Sequence, residues 1–191
     1  MSIEDIDAKS VQQFDPYRAT GLWHIIATND NMWKSKLTPT ITYSIHENLP
    51  DGRVRMNNLV EYYSKQLCVG YRPTSIEGID TQVSIKPSRY QWRGSGILKL
   101  FTNESGFIFV DNETAPDRPY QWIAKIYSPT IFSSGGIDLM TRTRHPPTHV
   151  LNDFVQFCRD DSVIRPRSAN MFYTREKADN EIYYIRDLQL D

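Results

Sequence analysis

The chain has 191 residues, 39% of them apolar and 12% aromatic, which is enough for one domain with a sizeable core. Twenty-two basic residues stand against twenty-three acidic ones, a net charge of −1, so no bulk field is available to hold nucleic acid or an anionic membrane. The N-terminus MSIEDIDAKSVQQ is polar and acidic with no signal-peptide core, and no later stretch approaches a membrane span, so a cytoplasmic protein is expected. On that footing Cys68 and Cys158 are expected as reduced thiols.

In chain order, residues 1–13 read as a loose arm or short helix, and Asp15-Pro16-Tyr17 starts the ordered body. Gly21-Leu22-Trp23 opens an apolar run in which a glycine turns the backbone tightly before a large aromatic enters the interior. The first strand is expected at 22–29, with Trp23, Ile25, Ala27 and Asn29 on one face. A polar loop carrying Trp33 leads to a second strand at 40–47, and Asn48-Leu49-Pro50-Asp51-Gly52 turns the chain into a third at about 53–63. In that third strand Val54, Met56, Asn58, Val60 and Tyr62 form the set to bury.

Further alternating runs fall at 81–86, 96–102, 106–110, 120–127 and 136–141, separated by Pro, Gly, Asn and Asp clusters. Strands at this spacing predict an antiparallel barrel or sandwich. After Arg142 the period changes. His145-Pro146-Pro147-Thr148 reads as a helix entry, and Val150, Leu151, Phe154, Phe157 and Cys158 make one apolar stripe of a helix over about 148–159, expected to lie outside the sheet. Residues 169–174 could add another strand. In the tail, 175–191, Ile182, Tyr183, Tyr184 and Ile185 predict docking onto the body formed by 14–174.

This order of parts resembles the lipocalin family of the calycin superfamily, through Gly21-Leu22-Trp23, Tyr120-Gln121-Trp122-Ile123-Ala124 and Ile137-Asp138-Leu139-Met140-Thr141-Arg142-Thr143 followed at once by a helix. The resemblance spans roughly residues 14–163 and implies an all-β fold: an eight-stranded antiparallel up-and-down barrel with one C-terminal α-helix packed outside. It further implies that Gly21, Trp23 and Arg142 close the barrel, the guanidinium lying across the indole; Arg144 is the alternative. A barrel of this size holds one hydrophobic small molecule. Trp33, Met56, Tyr62, Trp92 and Trp122 are then the expected substrate-binding residues.

Nothing in the sequence has the spacing of a metal site, and His145 and His149 straddle two prolines, so no metal or cofactor is expected. The turn Ser133-Ser134-Gly135-Gly136 reads as a flexible lid. Nucleophilic, hydrolytic and redox motifs are absent, which leaves chemistry that needs only positioning and a hydrogen bond, as in a pericyclic ring closure. Without an export signal, the chain resembles the intracellular lipocalin-like natural-product cyclases, such as the fungal hetero-Diels-Alder enzymes. On that resemblance Tyr43 and Asn58 are the expected catalytic donors, while Lys125, which alternates against Trp122, and Arg93 are expected in solvent. The competing class is a non-catalytic carrier of a lipid or pigment; a homodimer is the oligomer left open.

Overall fold

The computed structural model describes residue 6 and residues 9–83, 87–130, 133–176 and 181–188. It is built on strands β1 (Gly21–Thr28), β2 (Lys36–Asn48), β3 (Val54–Gln66), β4 (Gly70–Gln82), β5 (Arg89–Gly94), β6 (Thr102–Val110), β7 (Trp122–Tyr127) and β8 (Gly136–Thr141). Helix α1 (Thr148–Asp160) and a short strand β9 (Phe172–Tyr173) follow. Strands β1 to β8 pair in sequence order, each antiparallel to the next, and β1 returns to pair with β8. The ring is therefore a closed up-and-down barrel, with α1 and β9 outside it.

The ring closes along only half its height. β1 pairs with β2 from Gly21↔Tyr43 to His24↔Thr40, and above that the C-terminal segment fills the seam. Ala27 and Thr28 pair with Tyr173 and Phe172, and the Thr38 amide donates to the Arg175 carbonyl at 2.8 Å. Arg144 fastens this seam, donating to the carbonyls of Ile25 (3.0 Å) and Thr174 (2.8 Å). It does not approach Trp23 as a closing residue.

Two apolar layers account for the stability of the ring. The inner one gathers Trp23, Ile25, Ile41, Tyr43, Met56, Tyr90, Phe107, Ile123 and Met140 inside the barrel. The outer one places Phe154, Val155 and Cys158 of α1 over Ile108, Ala124, Ile126, Ile137 and Leu139. Burying such large side chains stabilises a fold by about 1.5–3 kcal/mol each. β3 buries Val54, Met56, Asn58 and Tyr62 on one side, as its alternation predicts.

Differences from the sequence-based expectation have local causes. Ile25 and Ala27 flank a β-bulge in β1, so Ile26 and Ala27 both join the outer layer and Ala27 is not an interior residue. Strands expected at 81–86 and 96–102 are instead β4 and β5. The inward set of β4, Ile76, Gly78, Asp80 and Gln82, holds a single large apolar side chain, so no hydrophobic alternation marks it. Gly96–Leu98 forms a single 3₁₀ turn where a strand was expected.

Described residues of the arm are docked: Ile6 is fully buried, the Val11 amide donates to the Phe107 carbonyl at 2.9 Å, and Lys9 pairs with Asp161 at 2.6 Å. Residues 1–5, 7 and 8 of that arm, 84–86 of the expected strand, and 177–180 and 189–191 of the tail lie outside the described residues. Cys68 is exposed on the β3–β4 turn and Cys158 is buried on the sheet-facing side of α1, both as free thiols.

Candidate functional site

One end of the barrel is sealed. Trp23 is fully buried, donates from Nε1 to the Ala19 carbonyl at 2.7 Å, and lies under the Arg142 guanidinium, whose carbon sits 3.7 Å from the ring centre. The guanidinium donates to four carbonyls: Tyr120 (2.9 Å), Leu22 (3.0 Å), Arg18 (3.0 Å) and Thr20 (2.8 Å). Gly21 permits this approach: its φ is +99°, and a side-chain Cβ there would come 3.1 Å from Arg142 Nη1. Phe14 fills the space above, stacked on Phe107 with ring centres 4.2 Å apart.

Above this floor the interior becomes polar. Lys125 reaches inward from β7 and donates to Asp80 Oδ2 (3.1 Å) and Tyr43 Oη (3.2 Å), while Asn58 Nδ2 donates to the same Asp80 oxygen at 2.7 Å. Asp80 is fully buried and Lys125 is 7% exposed. Burial opposes the lysine charge, but the Asp80 carboxylate and the Tyr43 hydroxyl outweigh it and hold the ammonium above its usual range. Burial also pushes the Tyr43 hydroxyl up to about 12. The second oxygen of Asp80, the Asn58 amide oxygen and the Tyr90 hydroxyl have no protein partner.

Lys125 is thus an interior ammonium and not an outer-face charge. The alternation along β7 does set Lys125 opposite Trp122, but the faces are reversed. Trp122 points outward and meets the His149 ring edge-on at 5.6 Å, so it does not bind substrate inside the barrel. Ala124 and Ile126, on the same side as Trp122, are covered by α1. With apolar residues on both faces, hydrophobicity could not select the inner one.

A cavity of about 140 Å³ opens over this cluster. Its walls are Trp33, Ile41, Val60, Ile76, Trp92 and Leu98, with Lys125 at the base. Trp33 comes from a short 3₁₀ helix (Asn31–Ser35) capped by Asp30 and packs edge-on against Tyr62 at 5.7 Å. Trp92 lies flat on bare backbone: a Cβ on Gly78 would fall 2.1 Å from its Nε1. Tyr43 pairs across the strands with Asn58, Ile41 with Val60, and Ile45 with Met56. The Ile41–Val60 layer lines the cavity; Tyr43, Asn58 and Met56 lie below it, and Tyr62 lines the rim outside.

Two buried carboxyl groups, Asp30 and Asp138, meet just inside the mouth. Tyr127 Oη lies 3.2 Å from Asp30 Oδ2 and 3.1 Å from Asp138 Oδ1, and one hydroxyl proton cannot serve two acceptors. A protonated Asp138 supplies the other: burial, with the Asp30 charge adding to it, raises its carboxyl to about 7. The turn read as a lid is tied down here, since both Ser133 and Ser134 donate to the Asp30 carboxylate. Sequence reasoning missed Asp80, Asp138 and Asp30; an aspartate within a strand pattern was the available signal for Asp138, and a capping aspartate for Asp30.

Outside the barrel, a groove of about 510 Å³ runs between β2, β3 and the C-terminal seam, lined by His24, Glu61, Tyr63, Thr74, Arg144 and Glu176. Burial and then the Arg144 charge lower the His24 pKa. His145 and His149 sit on the surface beside Glu176 and Glu113. Arg93 is exposed on β5. No group of three His, Cys, Asp or Glu side chains suited to a metal occurs among the described residues.

No family model matches the sequence, and no curated protein does. Solved structures do. Lobster apocrustacyanin A1 aligns with 98% of this chain and 92% of its own at 11% identity and a TM-score of 0.55. The amine binding protein of Rhodnius prolixus, solved with tryptamine, aligns with 77% of this chain and 75% of its own at 12% identity and a TM-score of 0.53. The siderocalin Ex-FABP aligns over 75% and 86% at 12% identity and a TM-score of 0.46. At these identities the first two speak to the fold, and the fold is an up-and-down barrel of the lipocalin type.

Proposed function

We propose that the barrel binds a small, flat, hydrophobic molecule with one polar end, its apolar body between Trp33 and Trp92 and its polar end on Lys125. The observation that carries this reading is the cavity itself: aromatic and aliphatic walls above a buried, oriented ammonium. The volume, about 140 Å³, lies below the roughly 300–1,000 Å³ of drug-sized sites, so the ligand is a compact one. The neighbours support the architecture; one of them is named for binding amines.

The test is a titration with a panel of compact conjugated ketones, alcohols and amines, read by quenching of tryptophan fluorescence. Saturable quenching is expected. Gly78→Ala, which drives Trp92 off its wall, should abolish it, and Trp122→Phe should leave it intact. Quenching that survives Gly78→Ala would place the ligand elsewhere.

A second reading, catalysis, draws on one feature of the cavity. Lys125 is a fixed hydrogen-bond donor with one N–H beyond the two given to Asp80 and Tyr43. A preset donor facing an apolar slot suits a cofactor-free ring closure of the hetero-Diels-Alder type, in which a hydrogen bond to the electron-poor partner lowers the barrier. Tyr43 and Asn58, expected as direct donors, then act by holding Lys125 and Asp80 in place. Incubation with a quinone methide and an alkene should give a product isomer ratio that Lys125→Met returns to background. A background ratio from the parent protein leaves a carrier.

A further inference from the structure

Two of the four connections around the mouth, β3–β4 and β5–β6, differ from the rest of the surface in both polarity and charge. Leu67 on the β3–β4 turn is 93% exposed, and Ile97 and Leu100 on the β5–β6 connection are 95% and 90% exposed; Val69 is half exposed. These are large apolar side chains held in water on two hairpin tips at the same end of the barrel. Residues 62–73 contain Lys65 and Arg72, residues 92–103 contain Arg93 and Lys99, and residues 31–38 contain Lys34 and Lys36. None of these three segments holds an Asp or Glu. At the opposite end the connecting loops carry both signs, Asp51, Glu113 and Asp117 among them.

A net charge of −1 hides this asymmetry, because the bulk sum averages over ends that lie beyond a screening length of roughly 8 Å from each other. No helix among the described residues is long and apolar enough to cross a membrane. Side chains that dip in while cations remain outside need no span. We propose that the mouth docks on an anionic lipid bilayer, with Leu67, Val69, Ile97 and Leu100 entering the interface and Lys65, Arg72, Arg93 and Lys99 meeting the headgroups. Apolar insertion and a basic rim are the two signals that reversible surface attachment combines. The cavity opens at this same end, with Leu98 of the β5–β6 connection in its wall. Docking therefore lets an apolar ligand pass between bilayer and barrel without crossing water.

The experiment is flotation of the full chain, with no ligand added, on vesicles of phosphatidylcholine alone and of equal parts phosphatidylcholine and phosphatidylserine. Flotation is expected with the anionic vesicles only, weakening as salt rises. Lys65→Ala and Lys99→Ala should each lower the partition about fivefold. Leu67→Asp combined with Ile97→Asp should abolish it while the melting temperature stays at the parent value. Equal flotation on both vesicles, or none on either, overturns the proposal. So does a concentration-dependent dimer in sedimentation that the Asp pair dissociates while lipid is ignored, which assigns the rim to a second copy. Because the measurement uses no ligand, its failure is distinct from failure of the cavity reading.

Discussion

The two ends of this barrel solve the same problem in opposite ways. At the floor, one guanidinium caps one indole and spends four of its five donors on backbone carbonyls, and the end is closed. In the upper half, a lysine, three aspartates and two tyrosines are buried with acceptors still unmet and a cavity among them. Buried polar groups that are well paired make a rigid plug; buried polar groups left partly unpaired cost stability.

That contrast can be broken from the top down. Asp80→Leu leaves the Lys125 ammonium buried without its counter-charge and should cost about 3–5 kcal/mol in urea unfolding, most of it recovered in the Asp80→Leu, Lys125→Met double variant. A single variant no worse than the double one would mean that the pair is not coupled. Arg142→Met removes the floor's stacked cation and its carbonyl bonds, and should cost about 2–3 kcal/mol by the same measurement.

Acid–base behaviour sharpens the contrast further. Asp138 has a folded-state value of about 7, above the roughly 3.9 of an unfolded aspartate, so folding favours its protonated form. Its contribution is complete below about pH 4 and is lost as pH rises through about 7. Unfolding measured at stepped pH should therefore show the parent losing stability relative to Asp138→Asn across that window, by up to about 1.4 kcal/mol per pH unit. A parallel pair of profiles would deny the shift. The smallest effect belongs to the rim: Leu67→Asp, on an exposed turn, should change unfolding stability by less than about 0.5 kcal/mol.

How legible all this was in the sequence depended on which faces were wet. The β3 set from Val54 to Tyr62 was readable because its other face is solvated, giving a clean two-residue period. α1 was readable because its stripe is one-sided. β7 was not, because α1 covers the face opposite the interior, and the interior position was given to Trp122 instead of Lys125. β4 was unreadable for the complementary reason, that its inward side chains are largely polar. The Ile25/Ala27 bulge left no trace in an unbroken apolar run.

By itself, the sequence determined the two-residue alternation of β3 and the one-sided helix, which follow from local periodicity, while the resemblance to lipocalins pointed to the glycine, tryptophan and arginine that meet at the floor. Only the tertiary structure decided which face of β7 looks inward, that Lys125, Asp80, Asn58 and Tyr43 from four strands share one buried cluster, and that the C-terminal segment fills the seam between β1 and β2. These depend on ring closure, which sets residues far apart in the chain side by side, and no local pattern carries that information.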